Sequence, residues 1–341
     1  MKRLSIILCL PLAALFFACS TDVDLYAEYE EKPVIYGLLD PNADTNFIKI
    51  TRTFSVRGDA YQVASNPDSS AYPGKLDVRM IEYCNGDSIR EIVFDTITIH
   101  NKEQGVFYAP DQKLYYTTEK LGMNGNNKNY SYRLSVVLPD RTLTSETKMV
   151  GDSYFNVQSL GMNFSKAYFG IRLPFLFRPA SKAGVYDVNI SFTYLEQRTP
   201  DDDSVPRTMT WNKGLYFDRD LIYHTMEGCY VFYYRPEEFY ALLKEFIGGD
   251  TVSGVRRFIQ DYPIEVTIAA GGDELMQYIY LNDPYNGVPL GDNDLTLIDG
   301  GYGVFSSKMT VKRGIRLGGE TVPDLVAMTN WGFKFIGGKE E

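Results

Sequence analysis

The pattern of apolar and polar positions predicts a chain built mostly from strands. Lys75 to Tyr83 alternates, with Leu76, Val78 and Met80 on one face and Asp77 and Arg79 on the other. Period-two alternation marks a half-buried strand. Asn85-Gly86 follows, the strongest short signal for a tight hairpin turn. The return strand, about Ser88 to His100, changes its apolar register between Phe94 and Ile97, which predicts a bulge. Pro33 to Leu39 is an extended apolar run, and Asn46 to Thr53 sets Ile48 and Ile50 against Lys49 and Thr51. Tyr130 to Leu138 alternates again, Pro139-Asp140 turns the chain, and Arg141 to Lys148 reads as the partner strand. Tyr186 to Tyr194 is a nearly regular half-buried strand that returns over Arg207 to Phe217, and Ile264, Val266 and Ile268 mark another.

A few helices interrupt the strands. Pro236 opens one at its first position, with Glu237 and Glu238 near the positive end of the helix dipole. Phe239, Leu242, Leu243, Phe246 and Ile247 form its apolar stripe, and Gly248 ends it. Asp273 to Leu281 and Pro323 to Trp331 predict two more, the last capped by Gly332. The expected fold is mainly β: an immunoglobulin-like β-sandwich over 31–150, then a β-rich (α+β) domain with a few short helices over 151–341. Gly151-Asp152-Ser153 is the expected junction. Tyr and Phe, at 26 and 20 residues, favour strands and agree with this.

The first thirty residues set the compartment. Lys2 and Arg3 precede an apolar run from Leu4 to Phe17. As a helix that run spans about 21 Å, short of the ~30 Å hydrocarbon core, so residues 1–18 read as a signal peptide. Ala18-Cys19 at its end resembles a bacterial lipobox, which implies that Cys19 carries lipid. Two or more acyl chains on that residue would anchor the protein durably in the outer membrane. Residues 19–30 form an acidic tether with Asp22, Asp24, Glu28 and Glu30. This tether resembles the signal that sends Bacteroidota lipoproteins to the outer face of the outer membrane.

Charge and composition narrow the chemistry. A formal net charge of -10 excludes the basic footprint that a nucleic-acid binder needs. With only His100 and His224 present, histidine-based catalysis and metal binding have little to draw on. No nucleophile elbow and no zinc spacing occurs, and no cofactor or metal is expected. Asp40 to Asn46 spaces oxygen side chains as calcium loops do, but Thr45 and Thr51 stand where such a loop wants Gly and Glu, so a β-turn is the expectation. Gly291 to Asp294 and Asp201 to Asp203 read as a turn and a solvated loop. Gly300-Gly301-Tyr302-Gly303 lacks dinucleotide spacing and is expected to let the backbone pass a neighbour closely.

Cys84 and Cys229 remain after processing, either bridged across the two domains or as separate thiols. Tyr115-Tyr116 and Tyr230 to Tyr234 concentrate aromatic surface, either in a sheet core or as a platform for a glycan or protein. Ser88, Thr96, Ser204 and Thr251 each follow Asp and precede an aliphatic residue, a pattern that resembles Bacteroidota O-glycosylation sites.

Lys32 to Asp40, Phe47 to Phe54, Gly105 to Pro110 with Leu114-Tyr115-Tyr116, and Asp299 to Phe305 are similar to segments of Bacteroidota lipoproteins of the domain-of-unknown-function 4249 group. The resemblance implies a surface or periplasm-facing lipoprotein, and some such proteins accompany TonB-dependent outer-membrane transporters. The expected function is therefore non-enzymatic: an accessory or ligand-capturing lipoprotein beside a β-barrel transporter, with a glycan or peptide as ligand. A surface adhesin or structural lipoprotein is the alternative, and a glycan-active hydrolase the third.

Overall fold

A computed structural model describes residues 31–54, 60–100, 111–224, 228–248, 254–282 and 297–335. The fold is mainly β. The first part of the chain supplies β1 (Pro33–Leu39), β2 (Asn46–Arg52), β3 (Asp77–Cys84), β4 (Asp87–Val93), β5 (Asp95–Ile99), β6 (Gln112–Thr117), β7 (Tyr130–Val137) and β8 (Thr142–Lys148). Short strands β9 (Asn156–Val157) and β10 (Gly161–Asn163) follow, then β11 (Leu173–Arg178), β12 (Val185–Gln197) and β13 (Val205–Phe217). The last are β14 (Ile222–His224), β15 (Cys229–Tyr234), β16 (Arg256–Gly271), β17 (Tyr302–Gly318) and β18 (Phe333–Phe335).

Among the described residues, two hydrophobic cores result. The first lies between β4-β3-β7-β8 and the β1-β2-β6-β5 part of a longer sheet. Inward Val78, Met80, Leu134 and Val136 meet Ile35, Ile48 and Tyr115 there, all at most 1% exposed. Asn85 and Gly86, with φ of 53° and 95°, make the hairpin turn that the sequence predicts. The register change near Phe94 has a different cause from the expected bulge. There the chain leaves one sheet for the other: β4 pairs with β3, and β5 pairs with β6. Ile92 and Phe94 are both buried, so the chain turns about a core anchor at the corner.

The second core lies beneath β12, β16 and β17. Tyr186, Val188, Ile190, Phe192 and Tyr194 all point inward from β12, against β11, β15 and the helix Pro236–Phe246. β16 is interrupted opposite β12, where Phe192 pairs with Ile264 and Tyr194 with Ile259. The four residues between form the bulge, with Gln260, Asp261 and Tyr262 exposed and Pro263 buried, and a break in pairing suits a proline, which cannot donate to the ladder. The last predicted helix splits into Thr321–Ala327 and a 3₁₀ turn over Thr329–Trp331, ended by Gly332 at φ 64°.

Among the described residues, ten strands form one sheet along the path β13-β12-β16-β17-β1-β2-β6-β5, with β10 and β18 attached beside it. β17 joins the two cores. Tyr302–Ser307 runs parallel to β1, while Lys308–Ile315 runs antiparallel to β16. Among the described residues, the buried members of the first core come from positions up to Met149 and those of the second from Val150 onward, except Ile298 and Phe305, which enter the first. Gly303 permits this union. Its φ is 103°, and a Cβ there would lie 1.9 Å from the Ile35 carbonyl oxygen.

Candidate binding face

The outward face of β17-β1-β2-β6-β5 is unusual for a sheet face turned toward water, which ordinarily reads polar. Alternation sends Ile35, Leu39, Ile48 and Ile50 inward, and therefore Tyr36 and Phe47 outward. Register sets Tyr36 beside Val304 and Lys49, Val34 beside Tyr302, Phe47 beside Tyr116, and Ile97 beside Leu114. Tyr36, Phe47, Ile97 and Tyr302 are 42%, 41%, 44% and 48% exposed. Single exposed apolar side chains mean little, but several together on one sheet face mark an interaction surface.

The helix Asp273–Asn282 borders this face. It seats on β17 through Ser306, which accepts the Leu275 N–H at 3.3 Å and donates to Glu274 Oε2 at 3.0 Å. Thr147 donates to the same carboxylate oxygen at 3.0 Å, so β8, β17 and the helix meet on one acceptor. Farther along, Tyr278 stands edge-on to Tyr36, centroids 6.1 Å apart, and its hydroxyl donates to Tyr36 Oη at 3.3 Å. Burial, then the Tyr36 hydrogen bond, pushes the Tyr278 phenol up to about 12, so it stays protonated at neutral pH. Phe47 and Tyr116 pack at 6.4 Å, and Lys49 Nζ donates to Gln112 Oε1 at 2.9 Å. Such a surface can stack on sugar rings or anchor an apolar partner, with Tyr hydroxyls and Lys49 supplying hydrogen bonds.

The residues singled out in the sequence scatter. Tyr115 is buried and accepts the Leu76 N–H at 3.0 Å, whereas Tyr116 faces outward. Phe232 and Tyr234 of β15 are in the second core, and Tyr230 packs against it. The Asp40–Asn46 run closes on itself: Asp40 Oδ1 accepts the Asn42 N–H at 2.9 Å, and Asn46 Oδ1 accepts the Asp40 N–H at 2.7 Å. These two oxygens are thus committed to a turn. Asp202 likewise accepts the Thr199 N–H at 2.9 Å in an exposed turn. Among the described residues, no group of three or more His, Cys, Asp and Glu is placed to hold a metal.

The considered Cys84–Cys229 bridge is not formed. Cys84 ends β3 on the first sandwich, and Cys229 is buried at the start of β15 in the second half. His100 Nδ1 lies 2.7 Å from Asp111 Oδ1 at the exposed end of β5, while His224 is exposed on β14. The two histidines therefore belong to different sheets. Ser88 is exposed on β4, Ser204 is exposed just before β13, and Thr96 is half-buried on β5. Cys19, the 19–30 tether, Thr251 and Gly291–Asp294 lie outside the described residues.

No motif in the sequence marks Tyr36, Phe47 or Tyr278, and Tyr302 stands in the glycine run without a role of its own. The available signal was that β1 is apolar on both of its faces, which an antiparallel sheet facing water does not require. No family model matches the chain, and no curated protein matches it.

Proposed function

We propose that this chain is a non-enzymatic lipoprotein of the outer membrane. In this reading Cys19 carries the lipid, the acidic tether holds the protein at the cell exterior, and the aromatic face captures a partner or ligand. The observation that carries the reading is the cluster of Tyr36, Phe47, Ile97 and Tyr302 on one outward sheet face, each more than 40% exposed. The lipobox-like Ala18-Cys19 and the resemblance to Bacteroidota lipoproteins support the location. From Cys19 to Lys32 an extended chain reaches no more than about 45 Å, which keeps the sandwich within range of a membrane neighbour. A β-barrel transporter is the partner that fits that geometry and the resemblance best.

One observation favours a second reading, a surface adhesin. The cavities at the β16 bulge and between Glu196 and Arg257 share no lining residue with the aromatic face. A sheet face of exposed aromatic and aliphatic side chains suits a macromolecular contact as well as a captured small ligand.

The test is affinity purification of the tagged full-length protein from its native outer membrane in gentle detergent. A β-barrel should co-purify stoichiometrically with the wild type. The combined Tyr36→Ser, Phe47→Ser and Tyr302→Ser variant should reduce that recovery at least tenfold while remaining lipidated. Recovery of the wild type alone, under conditions that preserve barrel complexes, overturns the accessory reading and moves the weight to the adhesin.

A further inference from the structure

A cavity of about 300 Å³ opens at one end of the second core, lined by Glu196, Arg198, Arg207, Phe246, Ile247, Val255 and Arg257. Its size is at the low end for a small-molecule site. Three guanidinium groups face one carboxylate, an excess of two positive charges on a chain whose formal net charge is -10.

Strand register explains how the charges meet. Tyr194 and Glu196 are successive inward positions of β12. Tyr194 pairs with Arg207 of β13 in one row, and Glu196 pairs with Arg257 of β16 in the next. Arg257 is fixed: its side chain is 3% exposed, its Nε donates to Glu196 Oε2 at 3.1 Å, and its Nη1 donates to the Trp331 carbonyl. Rings of Tyr194 and Phe333 lie 6.0 Å from its Cζ. This much is explicable as a clasp that holds the Trp331–Gly332 turn against β16.

The clasp does not account for the other two arginines. Glu196 is already committed to Arg257, and its other oxygen is 3.6 Å from Arg198 Nε. Arg207 has no carboxylate partner among the described residues and rests on the Phe246 ring at 5.5 Å. Surplus planar guanidinium and an apolar wall of Phe246, Ile247 and Val255 together call for one kind of ligand.

We propose that this cavity binds the carboxylate of a small organic acid, Arg207 and Arg198 gripping the oxygens and Phe246, Ile247 and Val255 packing its apolar body. The guanidinium fork matches a carboxylate's two oxygens, and the apolar wall of Phe246, Ile247 and Val255 favours an acid with an apolar body over a bare inorganic anion. The site is separate from the aromatic face, and its success or failure leaves the accessory reading untouched.

The test titrates the folded chain, residues 20–341, with benzoate at constant ionic strength, followed by ligand-observed NMR and thermal unfolding. Benzoate should bind saturably and raise the melting temperature. Benzamide, its neutral counterpart, and inorganic phosphate should each bind at least tenfold more weakly. Arg207→Gln lies on an exposed stretch of β13 and should leave the melting temperature of the ligand-free protein unchanged while weakening benzoate at least tenfold. Arg207→Lys, which keeps the charge without the fork, should fall between. Phosphate binding as tightly as benzoate, benzoate binding unaffected by Arg207→Gln, or no saturable benzoate binding to the folded wild type would each overturn the proposal.

Discussion

A carboxylate closed inside a sandwich of aromatic and aliphatic side chains is tolerable only if every oxygen finds a donor. Glu82 of β3, 3% exposed, meets that condition. Its Oε1 accepts the Tyr132 hydroxyl at 2.6 Å and the Gly122 N–H at 2.9 Å, and its Oε2 accepts Arg90 Nε at 2.5 Å. Burial by itself would push the carboxyl up, but the hydrogen bonds from Tyr132, Arg90 and Gly122 outweigh it and hold the group below its ordinary range. A carboxyl depressed in the folded state stabilises fully above the unfolded value of about 4.3 and loses that contribution as pH falls through the folded value. Glu82→Gln should therefore cost about 1–3 kcal/mol at pH 7. In urea unfolding, the gap between wild type and variant should narrow below about pH 4. A gap equal at pH 7 and pH 3.5 would show that the charge is not what stabilises. The sequence places Glu82 in the strand Lys75–Tyr83 but gives no hint of this role, because its partners come from 8 to 50 positions away.

At the scale of elements, the sequence was most readable where one local rule acted alone. The helix Pro236–Phe246 begins at its proline and carries Glu237 and Glu238 in its first turn. Its stripe buries Phe239 and Leu243, and Gly248 follows at φ 79°. Phe239 stacks on Phe164 with centroids 4.2 Å apart and stands edge-on to Phe192 at 5.2 Å. Phe239→Ala should cost about 3–5 kcal/mol, read from chemical denaturation, since neighbours on two elements must collapse to fill the space. A loss under about 1 kcal/mol would mean the helix is not packed as described. The strand after Asn85-Gly86 was less readable. Its change of apolar phase at Phe94 is a real signal, but a bulge and a passage between sheets shift the phase alike. Only the partners of β4 and β5 separate the two.

Across the whole molecule, β17 decides how the halves relate. It closes the first sandwich through Tyr302–Ser307 and builds the second sheet through Lys308–Ile315, and Ile298 and Phe305 enter the first core. A fragment of residues 31–150 would expose the β1 edge along six paired positions and lose both side chains. It should lack a cooperative thermal transition, whereas the chain from residue 31 to its end should unfold as one unit. Cooperative unfolding of the fragment by calorimetry would refute the role given to β17. The buried core members change from one cluster to the other between Met149 and Val150. The chain's return to the first core some 150 residues later left no local trace, because parallel pairing of distant strands is a long-range contact.

The sequence by itself determined the strand-rich composition, the Asn85-Gly86 hairpin, the helix Pro236–Phe246, the self-closing Asp40 turn and the need for glycine near Gly303. Each follows from rules acting within a few residues: backbone sterics, alternation, capping and turn chemistry. Tertiary structure alone decided that Tyr36, Phe47, Ile97 and Tyr302 share an outward face, and that Arg198, Arg207 and Arg257 line one cavity with Glu196. Both clusters draw residues from strands far apart in the chain, and strand order and register, fixed by burial of the two cores, bring them together.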